Sequence, residues 1–83
     1  MQFLEYPMRR VLIESPFAAP TPEGIEEHVR YARACLKDAL LKAEAPLASH
    51  LLYTQPGVLD DTIPAERRLG IEAGIEWYKV AEP

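Results

Sequence analysis

The chain has 83 residues, of which 48% are hydrophobic and 27% are charged, a composition typical of one small globular domain. Its formal net charge of -4 argues against a nucleic-acid-binding surface, which would need a basic stripe, so neither DNA nor RNA is an expected partner. No apolar run approaches the roughly 20 residues that cross a bilayer, and the first residues lack the order of a signal peptide. Cys35 is the single cysteine, so no internal disulfide can form. A cytoplasmic location is therefore expected.

The first predicted element is a strand over residues 9–15 (RRVLIES). Three consecutive apolar residues, Val11, Leu12 and Ile13, are typical of a strand that is covered on both faces in a parallel sheet. Residues 1–7 are interpreted as a lead or an edge strand, because Pro7 prevents them from continuing into this segment. A proline-rich loop over residues 17–22 follows.

The second predicted element is a helix over residues 22–43. Thr21 can cap it, and Pro22 fits its first position. Acidic residues gather near its start and basic residues come later, which complements the helix dipole and indicates a solvated face. His28 lies among these charged residues and is expected to face solvent. One apolar stripe has the helical period and is formed by Ile25, Val29, Ala32, Leu36 and Leu40.

A short second strand is predicted over residues 45–50 (APLASH), since this segment follows a helix and precedes a loop. Together with the first strand and helix it forms a β-α-β unit, whose strands should be parallel. His50 would then end a strand at the carboxyl edge of the sheet. Gln55, Pro56 and Gly57 indicate a turn after it.

A second helix is predicted from Thr62–Pro64 to about Lys79, with Asp61 or Thr62 as its cap. Gly70 and Gly74 recur on one strip of this helix, where another backbone could approach closely. The helix is apolar on two opposite sides, so one side can cover the sheet while the other requires a partner. The sequence therefore predicts self-association. The first side carries Leu69, Ala73, Trp77 and Val80, and the second, the expected oligomer interface, carries Ile71, Ile75 and Tyr78.

Three segments of the chain resemble the nucleoside 2-deoxyribosyltransferase-like superfamily, and more closely an uncharacterised branch found in phages and bacteria. They are Ser15-Pro16-Phe17, residues 46–51 (PLASHL) and residues 60–74 (DDTIPAERRLGIEAG). The resemblance covers most of the chain from Met8 onward. It implies an α/β fold in which residues 8–83 form a β-α-β-α part of a Rossmann-like, flavodoxin-like, three-layer domain with parallel strands.

The sequence also departs from that family. Such domains continue with a third strand, a Ser-x-Gly-Met-type segment and another helix, and that later part carries the glutamate nucleophile of the catalytic relatives. The present sequence ends at Pro83, about where the third strand would begin. The resemblance therefore implies an N-terminal half, completed by oligomerisation and without transferase activity in this form.

Transfer of a deoxyribosyl group needs a carboxylate that attacks the anomeric carbon and an acid that protonates the leaving base. Asp61 and Glu66 are candidates for these catalytic roles. The alternatives are that Asp61 caps the second helix and that Glu66 is favoured by the dipole of its first turn. No cofactor is expected, and the spacing of His28 and His50 predicts no metal site.

Candidate ligand-binding residues come from the predicted carboxyl edge of the sheet, where open α/β folds bind ligands, and from the start of the second helix. His50 could equally be a structural hydrogen-bonding residue, and Phe17 and Tyr53 could simply roof a small core. The candidates are Ser15, Pro16, Phe17, His50, Tyr53, Asp60 and Arg67.

Two functions are compatible with this pattern. The first is a nucleoside- or nucleotide-binding domain related to the deoxyribosyltransferases; if it were active, it would be a glycosyltransferase of that type. The second is a small phage-type interaction or inhibitor module, which docks on a host protein through the apolar face of Ile71, Ile75 and Tyr78.

Overall fold

A computed structural model describes residues 8–80 of the chain, so the expected lead or edge strand at residues 1–7 lies outside the described residues. Within the described residues, five elements follow one another: strand β1 (Arg9–Leu12), helix α1 (Pro22–Leu41), strand β2 (Glu44–Leu47), the short helix α2 (Ser49–Leu52) and helix α3 (Pro64–Trp77). The protein is therefore a mixed α/β domain. The strand-helix-strand-helix order predicted from the sequence is confirmed, with α2 added.

The two strands pair in parallel, as predicted, with Arg9 opposite Glu44 and Leu12 opposite Leu47. Both strands end earlier than the sequence indicated, because β2 stops at Leu47 and leaves β1 no further partner. The Ile13 amide still donates to the Leu47 carbonyl at 2.9 Å. Placing His50 at the end of a strand was therefore wrong: residue 50 lies in α2, whose first turn closes when the Leu52 amide donates to the Ala48 carbonyl.

Helix α1 begins as predicted, since the Thr21 hydroxyl accepts a hydrogen bond from the Gly24 amide at 3.1 Å. It ends at Leu41, two residues early, because Ala43 adopts a left-handed φ of 58°. Its buried side carries Ala32 and Ala39. The prediction that Leu40 belongs to the apolar stripe was wrong: Leu40 is 56% exposed, and Ala39, two turns beyond Ala32, takes the inward position.

Helix α3 begins differently from the prediction. Its cap is Ile63, which supplies no side-chain hydrogen bond, so neither Asp61 nor Thr62 caps it. The Asp60 carboxylate instead accepts the Thr62 amide at 2.9 Å and the Thr62 hydroxyl at 2.6 Å, which forms a turn ahead of the helix. Pro64 occupies the first helical turn, as expected.

Packing divides the domain into two parts. Helix α1 lies on β2, whereas α3 packs mainly on α2 rather than covering the sheet as predicted. Gly74 permits this contact: a Cβ added there would lie 2.7 Å from the Ser49 hydroxyl oxygen. A Cβ at Gly70 would lie 3.3 Å from a methyl group of Leu59. The predicted close approach is thus present, although side chains make it rather than another backbone.

The core of the described residues is small. Its buried hydrophobic members are Ala32, Ala39 and Ala48, and no large side chain there is fully buried. Many larger apolar side chains of α3 are about half exposed. A domain with so little apolar burial depends strongly on each close contact that it makes.

None of the helices within residues 8–80 has the length and apolar character that crossing a membrane requires.

Candidate functional site

The carboxyl ends of the two strands are joined by a hydrogen bond between the Ser15 hydroxyl and the His50 ring. Ser15 follows β1 and His50 lies in the helix that follows β2, yet Oγ and Nε2 are 2.9 Å apart. The hydroxyl can donate to an unprotonated Nε2 or accept from a protonated one. Parallel pairing brings both chain segments to the same edge of the sheet, which is where open α/β folds place ligands.

Burial lowers the pKa of His50 below its ordinary value of 6.5, because desolvation disfavours the charged imidazolium. The imidazole is therefore neutral at neutral pH. In this form one ring nitrogen carries a proton and the other accepts, so Ser15 and His50 present a neutral hydrogen-bonding pair to the space beside them.

Acidification is expected to destabilise the domain through His50. Since the pKa of His50 is lower in the folded state, the unfolded chain binds the proton more readily. The free energy of unfolding is therefore at its full value above about pH 6.5, and it falls as the pH drops toward the folded-state pKa of His50. Urea unfolding at pH 7.5 and pH 5.5 measures this loss, and His50→Gln should reduce it. His28→Gln, which keeps His50, should retain the loss; an equal pH dependence in wild type and His50→Gln would contradict the assignment.

An open cavity of about 240 Å³ lies beside this pair, between the sheet edge and α3. Its lining combines residues that the sequence assigned to two separate roles. Candidate ligand-binding and catalytic residues form part of the wall, and the whole expected oligomer interface forms another part. These lining residues are Ser15, His50, Tyr53, Asp61, Glu66, Arg67, Ile71, Ile75 and Tyr78.

A second open cavity, of about 750 Å³, adjoins the first. Phe17 and Asp60 line the second cavity and not the first, and Pro16 lines neither, so Ser15 and Phe17 line different cavities. Five residues separate the two cavities and contribute to both. They are Thr54, Leu59, Asp61, Glu66 and Arg67.

The two candidate catalytic carboxylates already have partners in this wall. Asp61 forms an ion pair with the Arg67 guanidinium at 3.0 Å. The Glu66 carboxylate accepts the Asp60 amide at 3.1 Å and thus holds the loop against the first turn of α3. Neighbouring hydrogen bonds from Thr62 lower the pKa of Asp60 below its ordinary 3.8. These carboxylates therefore stabilise the loop before α3 through the ion pair and hydrogen bonds just described.

Two hydrogen bonds near the cavities were not predicted from the sequence. One holds the Tyr53 side chain and the other the Phe17 backbone carbonyl. The indole of Trp77 donates to the Tyr53 hydroxyl at 2.9 Å, which joins the end of α3 to the loop after α2. His28 Nδ1 donates to the Phe17 carbonyl at 3.0 Å. His28 is half-buried, so the expectation that it faces solvent was wrong.

Several other lining residues were not predicted from the sequence, because they belong to no motif or periodic pattern that would indicate a site. Glu14 and Ser49 line the smaller cavity because each adjoins a residue of the Ser15–His50 pair. The strand predicted over residues 45–50 included Ser49, but β2 ends at Leu47 and Ser49 begins α2, where its side chain lies beside Gly74 of α3. Gly70 and Gly74 carried the one usable signal, their four-residue spacing.

Among residues 8–80, no group of three or more histidine, cysteine, aspartate or glutamate side chains is arranged to hold a metal ion.

Taken together, the fold and the site define a small α/β domain with parallel strands and a polar and apolar cavity at their carboxyl edge. Residues 9–83 match the model of a protein family described as a domain of unknown function (DUF7768). The chain belongs to this family. No match was found among curated proteins or among solved structures.

Proposed function

We propose that the domain binds a nucleoside or nucleotide in the cavity between the sheet edge and α3. The observation that carries this proposal is the Ser15–His50 hydrogen bond, which places two neutral polar groups beside an apolar wall at the carboxyl ends of parallel strands. The resemblance of residues 8–83 to the N-terminal half of a Rossmann-like deoxyribosyltransferase domain supports the same assignment.

A nucleoside matches the two kinds of surface in this cavity. Its sugar hydroxyls can exchange hydrogen bonds with Ser15 and His50, and its base is a flat aromatic ring that can stack on Tyr53. The bond from Trp77 restrains Tyr53 and reduces the conformational entropy that a ligand must otherwise overcome. The smaller cavity lies just under the ~300–1,000 Å³ range of ligand pockets, and the adjoining cavity extends it.

Titration calorimetry with the four 2′-deoxynucleosides tests the binding proposal. Tyr53→Ala and His50→Asn are each expected to weaken binding about tenfold, since a lost stacking or hydrogen-bonding contact is worth about 1.4 kcal/mol. Tyr31→Ala removes an exposed tyrosine of α1 that lines neither cavity, and it should leave the affinity unchanged. Absence of any binding by the folded wild-type chain would overturn the proposal.

The same proposal assigns no transferase activity to this chain. Asp61 and Glu66 hold the loop and α3 together, and neither is a carboxylate with an unoccupied role as a nucleophile. Incubation with a deoxynucleoside and a second free base should therefore give no base exchange by chromatography. Exchange that disappears in Glu66→Ala would contradict the non-catalytic assignment.

A second candidate function, a protein-interaction or inhibitor module, is favoured by the exposure of α3. Ile71 and Ile75 of α3 and its C-cap Tyr78 are 53%, 51% and 50% exposed, and a row of half-exposed apolar side chains is typical of an interaction surface. The partner would be a second copy of this chain or a host protein.

Self-association through this face has a direct test. Light scattering after size exclusion is expected to give a mass above that of one 9.4 kDa chain, and Ile71→Asp combined with Ile75→Asp should return the monomer mass. Leu41→Asp, at a 77% exposed apolar position on α1, is the matched control and should not dissociate the assembly. A monomeric wild type would exclude the homo-oligomer. A host protein recovered by pull-down, without any nucleoside binding, would favour the inhibitor role.

A further inference from the structure

The charges that line the smaller cavity are mostly negative. Among the lining residues within positions 8–80, Glu14, Asp61 and Glu66 are carboxylates, and Arg67 is the only lysine or arginine. Three carboxylates against one guanidinium leave two formal negative charges at neutral pH. The larger cavity has the same balance, with Asp60 in the place of Glu14.

Arg67 is also occupied. Its guanidinium lies 3.0 Å from the Asp61 carboxylate; the Asp61 side chain is 22% exposed and the Arg67 side chain 49%, so the carboxylate is the more buried partner of this ion pair. A phosphate group that entered either cavity would have to compete with Asp61 for this cation and would face the remaining carboxylates.

The start of α3 does not offset this repulsion. The positive end of a helix dipole attracts anions. Glu66 already places a negative charge in the first turn of α3, and its carboxylate also accepts the Asp60 amide of the preceding loop. The attraction is thus used by an anion of the chain itself.

We infer that Asp61 is a specificity-determining residue, which neutralises Arg67 and makes the site accept the uncharged nucleoside while rejecting its 5′-monophosphate. This inference rests on the proposed function and decides between the two ligand classes that the proposed function allows. It also gives the carboxylate a role in ligand selection that does not require catalysis.

The test compares each 2′-deoxynucleoside with its 5′-monophosphate by titration calorimetry on the full chain. The wild type should bind the monophosphate at least about tenfold more weakly, since its phosphate would be brought close to carboxylates of the same charge. Asp61→Asn removes one negative charge and leaves Arg67 without its ion-pair partner. The ratio of the affinity for the nucleoside to that for the monophosphate should therefore fall about tenfold. Circular dichroism establishes that the variant is folded.

Asp38→Asn is the matched control. Asp38 pairs with Lys42 at 2.8 Å on α1, so this variant also loses a carboxylate and an ion pair, but at a position that lines none of the cavity wall. It should keep the wild-type preference. If Asp61→Asn does not fold, Arg67→Met provides the second variant. It removes the cation and keeps Asp61, so the ratio of the affinity for the nucleoside to that for the monophosphate should rise.

Each outcome separates the inference from the proposed function. Monophosphates that bind the wild type as tightly as nucleosides would overturn the inference and leave the binding proposal intact. A preference that is unchanged in Asp61→Asn, or narrowed in Arg67→Met, would also overturn it. Failure of both ligand classes to bind would overturn the proposed function, and the inference with it.

Discussion

Replacing Ala32 with aspartate is expected to unfold the domain. Ala32 is fully buried on the inner side of α1, the helix that packs on β2. A carboxylate placed there has no partner, and burying an unpaired polar or charged group costs several kcal/mol. A chain of this length has a total free energy of unfolding of about 4–12 kcal/mol. Circular dichroism during urea titration should show an unfolded or mostly unfolded chain without denaturant.

Ala34→Asp provides the control for this substitution. Ala34 lies two residues further along the same helix and is exposed, so the same change alters helix propensity without burying a charge. Its expected cost is about 0.5–0.7 kcal/mol. If Ala32→Asp were as stable as Ala34→Asp, the contact between α1 and the sheet would not be the one described, and the small alanine core would not hold the domain together.

The outcome at α1 shows which features a sequence pattern can predict. Its start was predictable because a cap threonine and a first-turn proline act locally. The periodicity correctly placed Ala32 on the inward face of the helix, but it placed Leu40 there wrongly. A helical period defines the centre of an apolar stripe better than its margin, where neighbouring residues such as Ala39 and Leu40 are both compatible with it. Hydrophobicity favoured Leu40, yet the inner position went to the smaller Ala39, which permits close packing.

Strand lengths could not be predicted from residue type. Ile13 is apolar and β-branched, but a strand needs a neighbour that extends equally far, and β2 ends at Leu47. That end depends on the competing short helix α2, whose four residues carry no strong helical pattern. The displacement of His50 from a strand end into α2 follows from the same competition.

The candidate site was predictable in location and not in detail. Parallel strands bring their carboxyl ends to one edge, so Ser15 and His50 could be expected in one neighbourhood from topology alone. The bonds from Trp77 to Tyr53 and from His28 to Phe17 join residues that are distant in sequence and have no periodic relation. No local pattern encodes such contacts.

One consequence of the fold changes how the two candidate functions relate to each other. Ile71, Ile75 and Tyr78 were expected to form a separate association surface, but they also line the smaller cavity. A partner that covers this face would therefore close the cavity over a bound ligand or block its entry. Association and ligand binding are thus expected to be coupled, and the two candidate functions share one wall.

Replacing Gly74 with leucine is expected to separate α3 from α2 and to damage the site together with the fold. Gly74 is buried, and even a Cβ there would lie 2.7 Å from the Ser49 hydroxyl oxygen and 3.4 Å from the Ser49 Cβ. Rotation of Ser49 could relieve a single methyl group, whereas a leucine needs backbone movement. Overpacking of this kind costs about 3 kcal/mol, and urea unfolding should show a loss of that size.

Glu72→Leu places the same side chain on an exposed position of α3 and should change the free energy of unfolding by no more than about 0.5 kcal/mol. Gly74→Ala, in the wild type and in a Ser49→Ala background, locates the strain. Alanine gains about 1 kcal/mol of helix propensity over glycine, and this gain should appear in full only once the Ser49 hydroxyl is gone. A Gly74→Leu protein as stable as Glu72→Leu would show that α2 and α3 are not in contact at this position, and the cavity wall that they form would have to be abandoned with it.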